Sequence, residues 1–231
     1  MDLRNSFKVF MNSRINSPYI IVSLGVNCFA KTFLTKYRFK KKKDAGELTL
    51  PFDYTFYTDA KYVTEFIEND FKDYFEEIYY VKESNYWGKA RKIFFSHEKD
   101  FTENDKDKLI KMYSHRIRNF RSVLRSAKPL LFFQILTDKE NGEDVEKLYQ
   151  VLKSKVSSPF CLAVVDCDGV VDRELPPEIE VFKAPKPSAD YDFYSPECYK
   201  SEEGREFEHK ICSFVNDVIK NKMHQKVVRY F

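Results

Sequence analysis

A strict alternation in the second half of the chain narrows its possible folds more than any other feature. Leu130 to Leu136 is apolar except for Gln134. Glu143 to Lys153 then places Val145, Leu148, Tyr149 and Leu152 at helical spacing, and Phe160 to Val165 is apolar again. Glu178 to Phe182 supplies a third strand, and a long helix from about Glu202 to Lys222 turns Phe207, Ile211, Phe214, Val215 and Val218 inward. A strand that is apolar along its whole length needs cover on both faces. Strands joined through amphipathic helices pair in parallel. The pattern predicts an α/β fold, a mainly parallel sheet with helices on both faces.

Upstream, Tyr19 to Val22 is a short apolar run of the same kind. The three runs Ile20 to Val22, Leu130 to Leu136 and Phe160 to Val165 are therefore expected as neighbouring parallel strands. Gly25 breaks the first run, and from Phe29 the apolar residues Phe29, Ala30, Phe33, Leu34 and Tyr37 fall at helical spacing. This is strand, tight turn, helix, with Cys28 at the first helical position. Amide N–H groups at a helix start lack intrahelical partners, and the dipole there favours negative charge, so a thiolate so placed is stabilised and nucleophilic. Asn27 can act as the N-cap or as a donor to an oxyanion beside the sulfur. The plain alternative is a small buried cysteine that only packs, since free Cys is among the most buried residue types.

Between this turn and the later strands lies a helical insertion. Lys40 to Lys43 is a lysine run that fits a solvated loop. In Leu50-Pro51-Phe52-Asp53-Tyr54, aromatic neighbours hold Asp53 against apolar surface, where an ionised carboxylate needs a partner. Asp53 is either a structural cap or a site residue. Asp59 is the expected N-cap of a helix that buries Val63, Phe66 and Ile67, and a second helical piece is expected to carry Phe71, Tyr74, Phe75 and Ile78. Ile93 to His97 is a short apolar strand ending in a histidine. Thr102 and Asp105 form a capping-box pattern before a helix whose inner stripe is Leu109, Tyr113, Ile117, Phe120 and Leu124. His115 and Arg116 lie on or beside that stripe, Arg118, Arg121 and Arg125 face solvent, and Lys128-Pro129 ends the helix. Sites in parallel α/β folds gather beyond the carboxyl ends of strands, and Ser23 to Cys28, His97 and Asp166 all follow strands. The expected organisation is an N-terminal arm over 1–18, one α/β domain over 19–222 and a C-terminal tail over 223–231.

Composition removes several function classes. With 6 glycines the chain is no Gly-rich nucleotide binder, and a net charge of +3 with interspersed signs gives no argument for nucleic acid. No apolar run is long enough to span a membrane, and the N-terminus lacks the apolar centre of a signal peptide. The five cysteines, Cys28, Cys161, Cys167, Cys198 and Cys212, are odd in number and form no CxxC pair. Reduced thiols in a cytoplasmic setting are expected, with no disulfide framework, no metal site and no cofactor.

The set Ser23-Leu24-Gly25-Val26-Asn27-Cys28, Pro51-Phe52-Asp53, Phe95-Ser96-His97 and His115 to Phe120 resembles a bacterial family described as putative papain-like cysteine peptidases. The resemblance covers roughly Ile20 to Leu136. Its pattern is Ser-Leu-Gly-x-x-Cys, Pro-Phe-Asp-Trp, Phe-x-His and an Arg-rich helix; here Tyr54 replaces the Trp and Asn119 stands where the helix usually carries Arg. The resemblance implies Cys28 as nucleophile and His97 as its base, a coherent pair because a thiol needs a base to react at neutral pH. Asp53 is the expected orienting carboxylate, with Asp166 second, and Ser23, Gly25, Asn27 and Arg116 are the expected substrate-binding residues. Papain-like enzymes carry their histidine on an antiparallel sheet, whereas the alternation here predicts a parallel one. A looser resemblance, limited to the Gly-x-Asn-Cys turn, is to capsule-sugar acyltransferases that bind coenzyme A, for which a basic residue such as Arg116 would suit a phosphate-bearing donor.

Two function classes stand beside a non-catalytic interaction domain. One is thiol-dependent acyl chemistry, as hydrolysis or as transfer, on a peptide or an acylated or glycosylated small molecule. The other is a sugar-nucleotide or phosphate-binding α/β domain in which residues 25–28 offer backbone N–H groups and the sulfur is incidental. A depressed thiol pKa at Cys28 is the expectation that separates the first from the others.

Overall fold

The computed structural model describes residues 17–25, 28–40, 48–56, 59–82, 85–88, 93–95, 97–98, 100–136 and 142–223. Most of the expected arm, most of the tail, the lysines after Lys40, and Asn27 lie outside the described residues.

The alternating pattern folds as expected. Strands β1 (Ile20–Ser23), β5 (Leu130–Leu136), β6 (Phe160–Asp166) and β7 (Ile179–Lys183) form one sheet in the order β1-β5-β6-β7. All three pairings are parallel, with Ile20 opposite Leu130 and Leu130 opposite Phe160. Because successive side chains point to opposite faces, each strand divides its apolar residues between two cores. Val22, Leu130, Phe132, Leu162 and Val164 enter the core covered by α2 (Ala60–Glu68), α3 (Lys106–Leu124) and α4 (Gly142–Lys155). Ile21, Leu131, Phe133, Cys161, Ala163 and Val165 enter the other, covered by α1 (Phe29–Lys36) and α6 (Glu202–Val218). A short helix α5 (Pro196–Tyr199) precedes α6. Thr102 and Asp105 make the expected capping box ahead of α3.

The insertion differs from expectation between Phe71 and Gly88. Ile78 is not helical: it begins β2 (Ile78–Val81), which pairs with β3 (Asn85–Gly88) and then β4 (Ile93–Phe95) in an antiparallel sheet. Helix α2 ends at Glu68 with Asn69 as its C-cap, and residues 70–77 run as consecutive turns with positive φ at Asp70, Phe71 and Glu77. Phe71, Tyr74 and Phe75 still point inward, so the helical spacing reported burial correctly and conformation wrongly. Left-handed backbone at non-glycine residues is uncommon and stops a helix. Arg121 holds this bend, donating to the Asp70 carboxylate and to its carbonyl.

This second sheet meets the chain just after Pro51-Phe52-Asp53 through an isolated bridge. Phe56 pairs antiparallel with Phe94, exchanging N–H···O bonds of 3.0 and 3.2 Å. The bridge lays the Pro51–Phe56 segment along β4 and carries Tyr54 toward His97. The histidine thus follows an antiparallel strand, not one of the parallel sheet.

Candidate active site

Strand β1 ends where its last residues must serve two environments. Val22 and Leu24 are in the core, Ser23 between them is fully buried, and Gly25 has φ of 90°. That angle lies where only glycine is comfortable, so Gly25 makes the turn possible. Cys28 follows at the N-cap of α1 with helical backbone angles, and its carbonyl accepts the first helical bond from the Thr32 N–H. Phe29, Ala30, Phe33 and Leu34 bury one face of α1, with Phe33 stacked on Phe133 of β5. The helix start is therefore pinned against the carboxyl ends of the parallel strands.

The thiol is more enclosed than the sequence suggested. Cys28 is 3% exposed, beneath a loop that carries Tyr191, Phe193 and Tyr194. Burial pushes its pKa up from the ordinary thiol value, and hydrogen bonds from Tyr194, its own backbone and Thr32 recover only part of the loss. The expected depression by the helix start does not prevail, because the dipole contributes a fraction of a charge while enclosure removes water from the whole thiolate. In its resting state Cys28 is a protonated thiol.

Tyr194 is the residue sequence reasoning missed. Its hydroxyl accepts the Phe29 N–H at 3.0 Å, one residue after Cys28, and lies close enough to the thiol to lower its pKa. The ring packs on Phe56 with centroids 5.3 Å apart, while its neighbour Phe193 packs on Phe29 at 4.4 Å. A Tyr in a Pro- and Asp-rich loop far from the turn carries no local signal of this contact.

Asp53 is fully buried, as its apolar neighbours required. Its carboxylate accepts from the Ser23 hydroxyl, from the Leu50 N–H at 2.8 Å and from Lys40 Nζ at 3.4 Å, with Lys31 Nζ 4.0 Å away. Among the described residues these are its partners, and His97 is not one of them. Asp166, the second candidate for orienting the histidine, accepts instead from the Val170 and Val171 N–H groups, both at 3.0 Å. Each expected carboxylate thus braces backbone: Asp53 ties the Pro51 turn to β1, and Asp166 closes the loop after β6. Ser23, expected to bind substrate, spends its hydroxyl on Asp53.

His97 is exposed and lies with its ring 5.0 Å from Tyr54 and 6.3 Å from Phe56. Phe56 touches both His97 and Tyr194, and Tyr194 touches Cys28. One aromatic wall, Tyr54, Phe56 and Tyr194, therefore runs between the histidine and the thiol. Tyr54 sits within electrostatic reach of Asp53, Arg116 and Cys28; its pKa is raised, mainly by burial.

Arg116 is 6% exposed and lies over the rings of Tyr113 and Tyr54, at 4.2 and 5.4 Å. Its Nη2 donates to Glu98 at 3.0 Å, while Nη1 is buried without a hydrogen-bond partner. Asn119 donates to the Thr49 carbonyl at 3.1 Å. Along α1 a cavity of about 460 Å³ is lined by Lys31, Thr32, Thr35, Lys36, Arg38 and Tyr54. Among the described residues no group of His, Cys, Asp and Glu is arranged to hold a metal ion. All five cysteines are free, and among the described residues no helix is long and apolar enough to cross a membrane.

A family profile described as "putative papain-like cysteine peptidase" matches residues 19–169, more than half of the chain. That span includes Cys28, Asp53, His97 and Arg116 and stops short of Tyr194. No curated protein and no solved structure matches the chain significantly.

Proposed function

The chain belongs to the family described as putative papain-like cysteine peptidases, and on that premise we propose that it cleaves an acyl bond, an amide or ester of a peptide or acylated small molecule, with Cys28 as nucleophile and His97 as base. What supports this reading is the thiol at a helix start, together with the run of ring contacts from His97 through Phe56 to Tyr194 of the loop over Cys28. A thiol kept protonated by burial needs a base at the moment of attack. His97 takes the Sγ proton, Sγ bonds to the carbonyl carbon, and the carbonyl π pair moves to oxygen. When that pair returns, the bond to the leaving group breaks and the leaving group departs with the proton held by His97. Water then attacks the thioester, again giving a proton to His97, and the acid leaves as the thiol is restored. If an acceptor hydroxyl or amine replaces water in the last step, the same residues perform acyl transfer. Arg116, stacked on Tyr54, is the basic residue proposed to meet an anionic group on the substrate, and the backbone of Gly25 would flank the reacting carbonyl.

The test is turnover of activated esters and of a peptide library, with intact-mass detection of an acyl-enzyme. Cys28→Ala should abolish both, and His97→Ala should slow turnover by about 10²–10⁴-fold, the usual worth of a general base. Turnover that survives Cys28→Ala would falsify the reading.

A second reading is favoured by the cavity with three basic and two threonine side chains: a phosphate-bearing ligand bound beside α1, with the thiol incidental. Inorganic phosphate or a nucleoside diphosphate that stabilises Cys28→Ala as much as wild type, with no acyl-enzyme detected in either, would select it.

A further inference from the structure

We infer that Tyr194 is a catalytic residue of this site: its hydroxyl, anchored by the Phe29 N–H, is the group that donates to the oxyanion formed when Cys28 attacks a carbonyl. The inference rests on the reading of Cys28 as nucleophile.

In hydrolases whose nucleophile sits on a strand–turn–helix elbow, the amide of the residue after the nucleophile donates to the oxyanion. Here that amide, Phe29 N–H, is already committed to Tyr194 Oη at 3.0 Å. A phenol oxygen that accepts one bond still has a single proton to give, and in the resting site it faces Cys28. Either the tyrosine withdraws to free the amide or its hydroxyl serves in the amide's place. The packing favours service. Phe193 is held by Phe29 and Phe207, Tyr191 by Phe207, and the Tyr194 ring by Phe56. The Tyr194 N–H also donates to Asp192 at 2.9 Å, which closes the turn. Withdrawal would break the Phe56 ring contact and disturb the turn closed by Asp192. Burial, and then the neighbouring Cys28, push the phenol pKa far above neutral, so Oη keeps its proton throughout. Accepting the amide at a helix start also polarises the O–H and strengthens it as a donor.

In the reaction the bond switches partner without proton transfer. As the C–S bond forms, sulfur loses its negative charge and the carbonyl oxygen gains one, and the Tyr194 O–H turns from Sγ to that oxygen. When the electron pair returns and the leaving group departs with the proton from His97, the O–H turns back. The position lies beyond the family match, so the C-terminal third completes a site whose nucleophile and base come from the matched region.

Tyr194→Phe removes only the hydroxyl, with Tyr191→Phe as control, because the Tyr191 hydroxyl is buried without a partner. In Tyr194→Phe, kcat on an activated ester should fall by about 10²–10³-fold with KM nearly unchanged, the loss expected for one oxyanion donor. The pH midpoint of Cys28 alkylation should also rise, since the thiolate loses a donor. The control should show neither change, and matched thermal unfolding midpoints would confirm that both variants are folded. Unchanged or faster turnover in Tyr194→Phe, or an unmoved alkylation midpoint, overturns the inference. The alkylation arm needs no substrate, so it reads the Tyr194–Cys28 contact even in a chain that proved not to be a hydrolase, whereas Cys28→Ala reads the reaction itself.

Discussion

Cys28 and Asp53 show how burial reassigns what a residue type suggests. At Cys28, enclosure outweighs the helix start, and the pKa moves up rather than down. The thiolate fraction at neutral pH is then smaller than for an ordinary thiol, so reaction with iodoacetamide should be slow at pH 7 and accelerate only above about pH 9. Cys198, the one cysteine that is not buried, should label first. Site-resolved mass spectrometry across pH checks the order; fast labelling of Cys28 at neutral pH would contradict it. At Asp53, the carboxylate holds two ammonium groups, a hydroxyl and an amide in a dry setting. Asp53→Asn should therefore cost about 3–5 kcal/mol in denaturant unfolding, as expected when one partner of a buried ion pair is removed. His97→Ala, on an exposed side chain, should stay within about 1 kcal/mol of wild type while losing turnover. A small loss at Asp53 with abolished turnover would return the carboxylate to a chemical role.

Helix α1 and the α5–α6 corner hold the two sides of the site, and each depends on tight packing. Phe33 of α1 touches Phe29, Tyr37, Phe39 and Phe133 and is fully buried. At the corner, a Cβ on Gly204 would lie 2.0 Å from the Cys198 carbonyl oxygen, so glycine is required for α6 to start against α5. Gly204→Ala must displace backbone a few residues from Tyr194, and should destabilise the fold by about 1–3 kcal/mol, the range for overpacking. Because the shift enters the Tyr194 loop, Cys28 alkylation should change with it. A variant as stable as wild type with an unaltered alkylation profile would show that the corner and the thiol are independent. Strands β2 and β3 of the antiparallel sheet are what spacing concealed, while β4 was legible as the apolar run before His97. Each of the two is 4 residues long, too short for an alternation to declare itself, and the Phe71–Ile78 spacing imitates a helix until the positive φ values interrupt it.

The molecule as a whole carries its apolar mass on both faces of one parallel sheet, and many of its buried phenols lie in those two cores. Burial raises the pKa values of Tyr37, Tyr74, Tyr113 and Tyr194 well above the ordinary value and pushes Tyr191 up to about 12. For each, the folded state keeps its proton at a pH where the unfolded chain has lost it. The unfolded state then binds fewer protons, so stability falls as pH rises. The loss should begin near pH 9, where the unfolded Cys28 thiol ionises, and steepen above about pH 10 as unfolded tyrosines follow. Denaturant midpoints from pH 8 upward, with phenolate absorbance recorded in parallel, test this. Early tyrosine ionisation without loss of stability would contradict it.

What could be inferred from residue order was whatever depends on neighbours along the chain. The period of the apolar residues specified the parallel strands and the faces of their helices. Gly25 marked the turn before Cys28, and the Thr102–Asp105 pair marked a helix start. Those features arise from local sterics and from the geometry of one element at a time. The environment of the thiol arises from segments far apart in sequence: Tyr194 arrives across 165 residues to meet the Phe29 amide, and Ser23 across 30 to meet Asp53. The direction of the Cys28 pKa shift, the brace at Asp53 and the wall beside His97 follow from how much water such meetings exclude. Enclosure is a property of the packed fold, and no stretch of the chain encodes it alone.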